Sequence, residues 1–132
     1  MIVVDASAVV EFVARQPVSF QLARRMLGGS ELHAPHLIDV EVTHALRKLV
    51  NRGELGSDRA SDARIDASEL RMVRYPHIPL LGRAWELRHS LSTYDGVYVA
   101  LAEFLRAPLV TCDAHLAHAP GHDAEIELFA PG

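Results

Sequence analysis

Met1-Ile2-Val3-Val4-Asp5-Ala6-Ser7 decides how the rest of the chain is read. Ile2-Val3-Val4 is a β-branched run too short for a helix and apolar on both sides of its alternation. That pattern predicts a central strand of a parallel sheet, covered on both faces. Asp5 ends the strand, Ser7 follows, and a helix is expected from about Ala8 to Arg15. Pro17 closes that helix near the start of a second, which carries Phe20, Ala23, Met26 and Leu27 and stops at Gly28-Gly29. Glu31 to Ala34 reads as a second strand, ended by Pro35. Leu37 to Arg52 reads as a helix with its stripe at Ile38, Val42, Ala45, Leu46 and Leu49, and Gly53 as C-cap. Ser57 is the expected N-cap of a polar helix through Ala60, Ala63 and Ala67, and Met72 to Tyr75 a weak edge strand. Leu80 to Leu91 follows as a helix with Leu80, Ala84, Leu87 and Leu91 on one side. Leu109 to Cys112 and Ile126 to Phe129 are the last expected strands, with a helical turn from Ala114 to His118 between them. Strands alternating with helices predict one α/β domain over residues 1–132, a three-layer α/β/α arrangement around a largely parallel sheet.

A second stretch, Thr93-Tyr94-Asp95-Gly96-Val97-Tyr98-Val99-Ala100-Leu101-Ala102-Glu103, reads as a helix start with Thr93 as N-cap. On a helical wheel Val97, Leu101, Phe104 and Leu105 share one apolar arc, bordered by Tyr98 and Ala102. Asp95 lies just beyond that border. Alone, it reads as a first-turn acid complementing the helix dipole, worth about 0.3–1 kcal/mol.

The totals bound the function. At 132 residues, the chain is enough for one domain that buries roughly two thirds of its unfolded surface. A formal net charge of -4 argues against holding nucleic acid by a general basic surface, but not against meeting it at one local site. Cys112 is the only cysteine, so no internal disulfide forms and a reducing cytoplasm is the expected setting. The first residues lack the pattern of a signal peptide, and no apolar run approaches the roughly 20 residues of a membrane span.

Three further acids change the reading of Asp95. In a parallel sheet with right-handed crossovers, all strand C-termini lie on one edge, and the following helices start there. Asp5 and Asp113 each end an apolar strand. Glu41 falls in the second turn of its helix, at the border of the buried stripe. Should the chain before Asp95 return to the same edge, four carboxylates face one crevice. Ser7 and Thr111, two residues from Asp5 and Asp113, offer hydroxyls to the same place. Four such acids cannot all stay ionised without a cation among them. Oxygen ligands with no cysteine select Mg²⁺ or Mn²⁺ over zinc. Ions of this kind activate water and stabilise an in-line phosphodiester displacement, about 3.5–4 Å apart in two-metal sites.

These stretches, with Leu109-Val110-Thr111-Cys112-Asp113, resemble the PIN-domain ribonucleases, most closely the VapC-type toxins of bacterial toxin–antitoxin pairs. The resemblance spans nearly the whole chain in the same order. It implies Mg²⁺-dependent cleavage of RNA, a homodimer, and a small antitoxin protein that covers the active site. By matching position, Asp5, Glu41, Asp95 and Asp113 are the implied metal-site acids, assisted by Ser7 and Thr111. His115 stands where further acids sometimes occur.

Other readings carry less. Asp113, His115, His118 and His122 have zinc or nickel spacing, but they lack a cysteine partner and an ordered scaffold, so surface histidines are expected. His44 lies on a helix face next to Glu41, where it either tunes the crevice or simply packs. Glu103 reads as a structural or surface acid, and Tyr94 and Tyr98 as packing or base-stacking residues. A phosphoaspartyl phosphatase wants a second aspartate where Ser7 stands, and a receiver domain wants a lysine at the end of a late strand, whereas Lys48 lies in a helix. The alternative from another class is a non-catalytic module whose acidic crevice receives an arginine of another protein.

Overall fold

The structure is a computed structural model, and it describes residues 1–14 and 20–129. Arg15 and Pro17, the expected end of the first helix and its breaker, lie outside the described residues. Five strands, β1 (Ile2–Val4), β2 (Leu32–Pro35), β3 (Met72–Tyr75), β4 (Leu109–Thr111) and β5 (Ile126–Leu128), form one sheet. Their order is β3-β2-β1-β4-β5, and every neighbouring pair is parallel. The described helices are α1 (Ala6–Ala14), α2 (Phe20–Leu27), α3 (Leu37–Asn51), α4 (Ser57–Glu69), α5 (Ile78–Glu86), α6 (Thr93–Leu105) and α7 (Ala114–Ala117). Ile2, Val3 and Val4 are wholly buried, because β1 is the central strand and helices cover both of its faces. β3 is the edge strand its weak pattern suggested, with Val73 exposed.

The connections decide where a site falls. From β1 the chain steps through β2 to β3, then returns past β1 to β4 and β5. Right-handed crossovers place α1 to α4 over one face, while the return from β3 to β4 places α5 and α6 over the other. Accordingly α1 packs against α2, α3 and α4, and α6 crosses β1, β2 and β4 with α5 packed on it. The strand order reverses between β1 and β4, so a crevice opens at their carboxyl ends. Asp5 follows β1 there, and Thr111 is the last residue of β4.

Several local expectations are corrected. The N-cap of α6 is Ser92, not Thr93: Ser92 is extended, and its hydroxyl accepts the Asp95 N–H at 3.1 Å. Gly96 to Ala102 is buried all round, since this helix is sandwiched between the sheet and α5. Phe104 is 75% exposed rather than in the buried arc, because the helix has left that sandwich before the left-handed Arg106 (φ 53°) ends it. In α2 the buried seam is Leu22 and Met26, whereas Phe20 and Leu27 face outward, Phe20 beneath the Arg24 guanidinium. Ser57 is the first helical residue of α4, and the extended Gly56 takes the N-cap position. Ala60, Ala63 and Ala67 are buried, and α4 packs on α1 and α3. Their smallness lets three helices approach closely, so this face serves the chain's own core. The expected Leu80–Leu91 helix stops at Glu86, yet Leu80, Ala84, Leu87 and Leu91 are all buried, as their spacing required.

Candidate active site

Asp5 is 5% exposed at the strand end, and the backbone turning into α1 determines its contacts. Its Oδ1 accepts the Ser7 hydroxyl at 2.7 Å and the Ala8 N–H at 3.0 Å, as an acid opening a helix does. Its Oδ2 accepts the Thr111 hydroxyl across the crevice. A carboxylate offers about four lone-pair positions, so three are engaged and one on Oδ2 is left. Each hydroxyl donates its single proton to Asp5 and accepts one backbone N–H in return, from Cys112 to Ser7 at 2.9 Å and from Asp113 to Thr111 at 3.0 Å. Ser7 and Thr111 therefore lock Asp5 to the ends of β1 and β4, and their oxygens stand only 3.2 Å apart.

The other three acids come from three different elements. Glu41 is half-buried in the second turn of α3, Asp95 lies in the first turn of α6, and Asp113 sits after β4. Asp95 is the common neighbour: its charge acts on Asp5 and on Glu41, and the charge of Asp113 acts on it. Burial pushes Asp5 up from 3.8 to about 6, opposed by its hydrogen bonds from Thr111, Ala8 and Ser7 and reinforced by Asp95. Glu41 is raised by burial and by Asp95, with Tyr98 and His44 acting against the shift. Asp95 is raised by burial and by Asp113, with His115 and the Ser92 cap opposing. The fold thus brings all four expected acids into one electrostatic neighbourhood. Among the described residues, however, no three His, Cys, Asp or Glu side chains close tightly enough to hold one ion. The donors are nonetheless of the kind that a hard divalent ion takes.

Asp113 also caps α7, with Oδ1 accepting the N–H groups of His115 and Leu116. His118 bonds to the Ala114 carbonyl and His122 accepts the Ala124 N–H, so neither joins a cluster with His115. Glu103 is structural, gripped at both oxygens by Arg83 at 2.8 and 3.0 Å and held below the usual carboxylate range by it. Tyr98 packs, as one of its two sequence readings expects, and its position deepens that reading. It is 1% exposed, and its hydroxyl lies close enough to Glu41 for each to shift the other, without a hydrogen bond of normal geometry among the described residues. The spacing of three from Asp95 to Tyr98 is the signal that places it on the acids' side of α6.

A profile of the PIN domain matches residues 2–121. Ribonuclease VapC12 of Mycobacterium tuberculosis is 45% identical over 130 residues, covering 98% of this chain and 100% of that protein. Ribonuclease VapC1 of the same organism is 46% identical over 127 residues, covering 96% of each. The crystal structure of PAE2754 from Pyrobaculum aerophilum superposes with a TM-score of 0.69 at 26% identity, over 94% of this chain and 81% of that one. A sheet that reverses order at the Asp5 crevice and whole-length similarity to named relatives lead to one assignment: the chain belongs to the PIN-domain family, in its VapC-type branch.

Proposed function

We propose that this VapC-type endoribonuclease hydrolyses RNA phosphodiester bonds in a Mg²⁺-dependent reaction, as the toxin of a cytoplasmic toxin–antitoxin pair. Asp5, Glu41, Asp95 and Asp113 are the carboxylates that hold the ion in this reading, and Mn²⁺ serves in its place. The observation that carries it is the charge balance around Asp95. Among the described residues, no lysine or arginine belongs to the charges that shift Asp5, Glu41 or Asp95. A carboxylate set countered by histidines but by no lysine or arginine is one that a divalent ion completes, and an all-oxygen donor set suits Mg²⁺ or Mn²⁺. When bound, such an ion supplies a nucleophilic water at neutral pH and stabilises charge on the leaving oxygen.

The chain's own residues prepare that site. Ser7 and Thr111 act through Asp5: they aim its carboxylate and favour its ionised form against burial. Ser92 fixes the turn that carries Asp95, and the buried Tyr98 restricts where Glu41 can stand. The same acids repel an RNA phosphate, so substrate approach depends on the ion. A small antitoxin protein covering this crevice and a homodimeric state complete the reading, both resting on the family's pattern.

The test is cleavage of single-stranded RNA by the purified protein in excess chelator and after adding back Mg²⁺ or Mn²⁺. Cleavage should vanish and return. Undiminished cleavage in chelator would sink the metal mechanism. No cleavage under any ion would leave the crevice as a receptor for an arginine of another protein.

A further inference from the structure

Beside the acids, a groove of about 410 Å³ runs between α1 and α3. Ser7 and Glu41 line one end, and His44, Lys48 and Arg52 follow along α3. Residues 41, 44, 48 and 52 recur at helical spacing, so they form a single stripe. At 1.5 Å per residue, Lys48 stands about 10 Å and Arg52 about 16 Å beyond Glu41 along the helix axis. Val10, Ala45 and Leu49 supply apolar surface within the groove.

The cations are uncommitted. Arg25, Arg74 and Arg83 are ion-paired to Glu127, Asp39 and Glu103, and Arg59 donates to the Val13 carbonyl. Lys48, the chain's only lysine, and Arg52 are exposed and have no ion-pair partner among the described residues. Glu11 is a further carboxylate in the groove, its pKa raised by burial. A chain of net charge -4 gains nothing from its overall field when it binds a polyanion, so it needs cations placed locally on the strand's path.

We infer that the α1–α3 groove is the track for the RNA strand on one side of the cleavage point, with Lys48 and Arg52 holding flanking phosphates. The inference rests on the ribonuclease reading and adds to it where the substrate lies. Both cations are too far along α3 to touch the phosphate that is cut. They hold its neighbours, while bases or ribose faces rest on Val10, Ala45 and Leu49, the usual division of labour in a single-strand groove.

The experiment measures fluorescence anisotropy of a labelled single-stranded RNA of about a dozen nucleotides, at Mg²⁺ raised to saturation, in an Asp95→Asn background that prevents turnover. Two forms are compared, each lowering the net charge by two: Lys48→Gln with Arg52→Gln, and Arg47→Glu. Arg47 is on the same helix but lines the separate α3–α4 surface with Thr43 and Arg64. The Lys48/Arg52 form should bind at least ten-fold more weakly. Its slope of log affinity against log salt should fall by about 0.7 for each phosphate that the groove no longer neutralises. Arg47→Glu should leave the slope in place. Equal weakening by both forms, or an unchanged slope in the Lys48/Arg52 form, would overturn the groove. Cleavage by the unmodified protein, assayed beside these, separates the two claims. Groove-dependent binding without cleavage defeats the enzyme reading and keeps the track, and cleavage with groove-independent binding does the reverse. Arg47, Lys48 and Arg52 are all exposed, and thermal unfolding of each form verifies that the fold is kept.

Discussion

Asp95 shows how far one residue's meaning depends on its neighbours. As a first-turn acid on α6 it complements the helix dipole, and Asp95→Asn would then cost at most about 1 kcal/mol and leave cleavage nearly unchanged. Among Asp5, Glu41 and Asp113 the same change relieves repulsion instead. The metal-free protein should then be as stable or more so, while ion affinity and RNA cleavage fall steeply. Thermal unfolding with and without Mg²⁺, read beside cleavage, separates the two, and a near-normal rate for Asp95→Asn returns it to a helix-start acid. Asp5 makes a pH-dependent prediction. Its folded pKa of about 6 lies above the ordinary 3.8. In chelator it therefore contributes stability that is fully present below about pH 4 and lost as pH rises through 6, on the order of 3 kcal/mol. Unfolding of the unmodified protein and of Asp5→Asn across that window should diverge by this amount. Parallel profiles would mean that the buried carboxyl has ordinary acidity.

Among the elements, α4 departs furthest from its sequence pattern. Its polar composition left three alanines as a thin stripe, yet Ala63 is wholly buried where α4 meets α1 and α3. Ala63→Leu should overpack that contact and lower unfolding stability by about 1–3 kcal/mol. Because α3 carries Glu41 and α1 follows Asp5, ion affinity should weaken with it. A denaturant titration that leaves the midpoint unmoved would mean that the alanines do not pack in this contact. The opposite surface of α6 is just as tight: a Cβ on Gly96 would stand 3.1 Å from the Ala84 Cβ, so a glycine beside Asp95 lets α5 approach.

For the whole molecule, the prediction concerns association. With the alanine face of α4 used internally, the homodimer needs another surface, and sedimentation is the direct measurement. A dimer of the 14.5 kDa chain at micromolar concentration is expected, and a monomer alone would remove that part of the proposal. No helix among the described residues is long and apolar enough to cross a membrane, in keeping with the absence of any long apolar run.

The strands and the acids that end them were legible in the chain, because a short β-branched run closed by an aspartate has few other uses. Helical spacing likewise set Glu41 and Asp95 at the borders of buried faces. What local pattern cannot encode is which elements become neighbours. Strand order β3-β2-β1-β4-β5 opened the crevice between β1 and β4, and it set the Thr111 hydroxyl on Asp5 across 106 positions of sequence. Packing also decided which of two similar apolar faces went inward, burying Leu22 and exposing Phe20 and Phe104. A helical wheel records periodicity but not where the partner surface ends. The sequence alone thus determined which residue types stand at the strand ends, and the proposed chemistry is read from those types. Tertiary structure decided the coupling of four distant carboxylates, because Coulomb interactions depend on distance in space and not on separation along the chain.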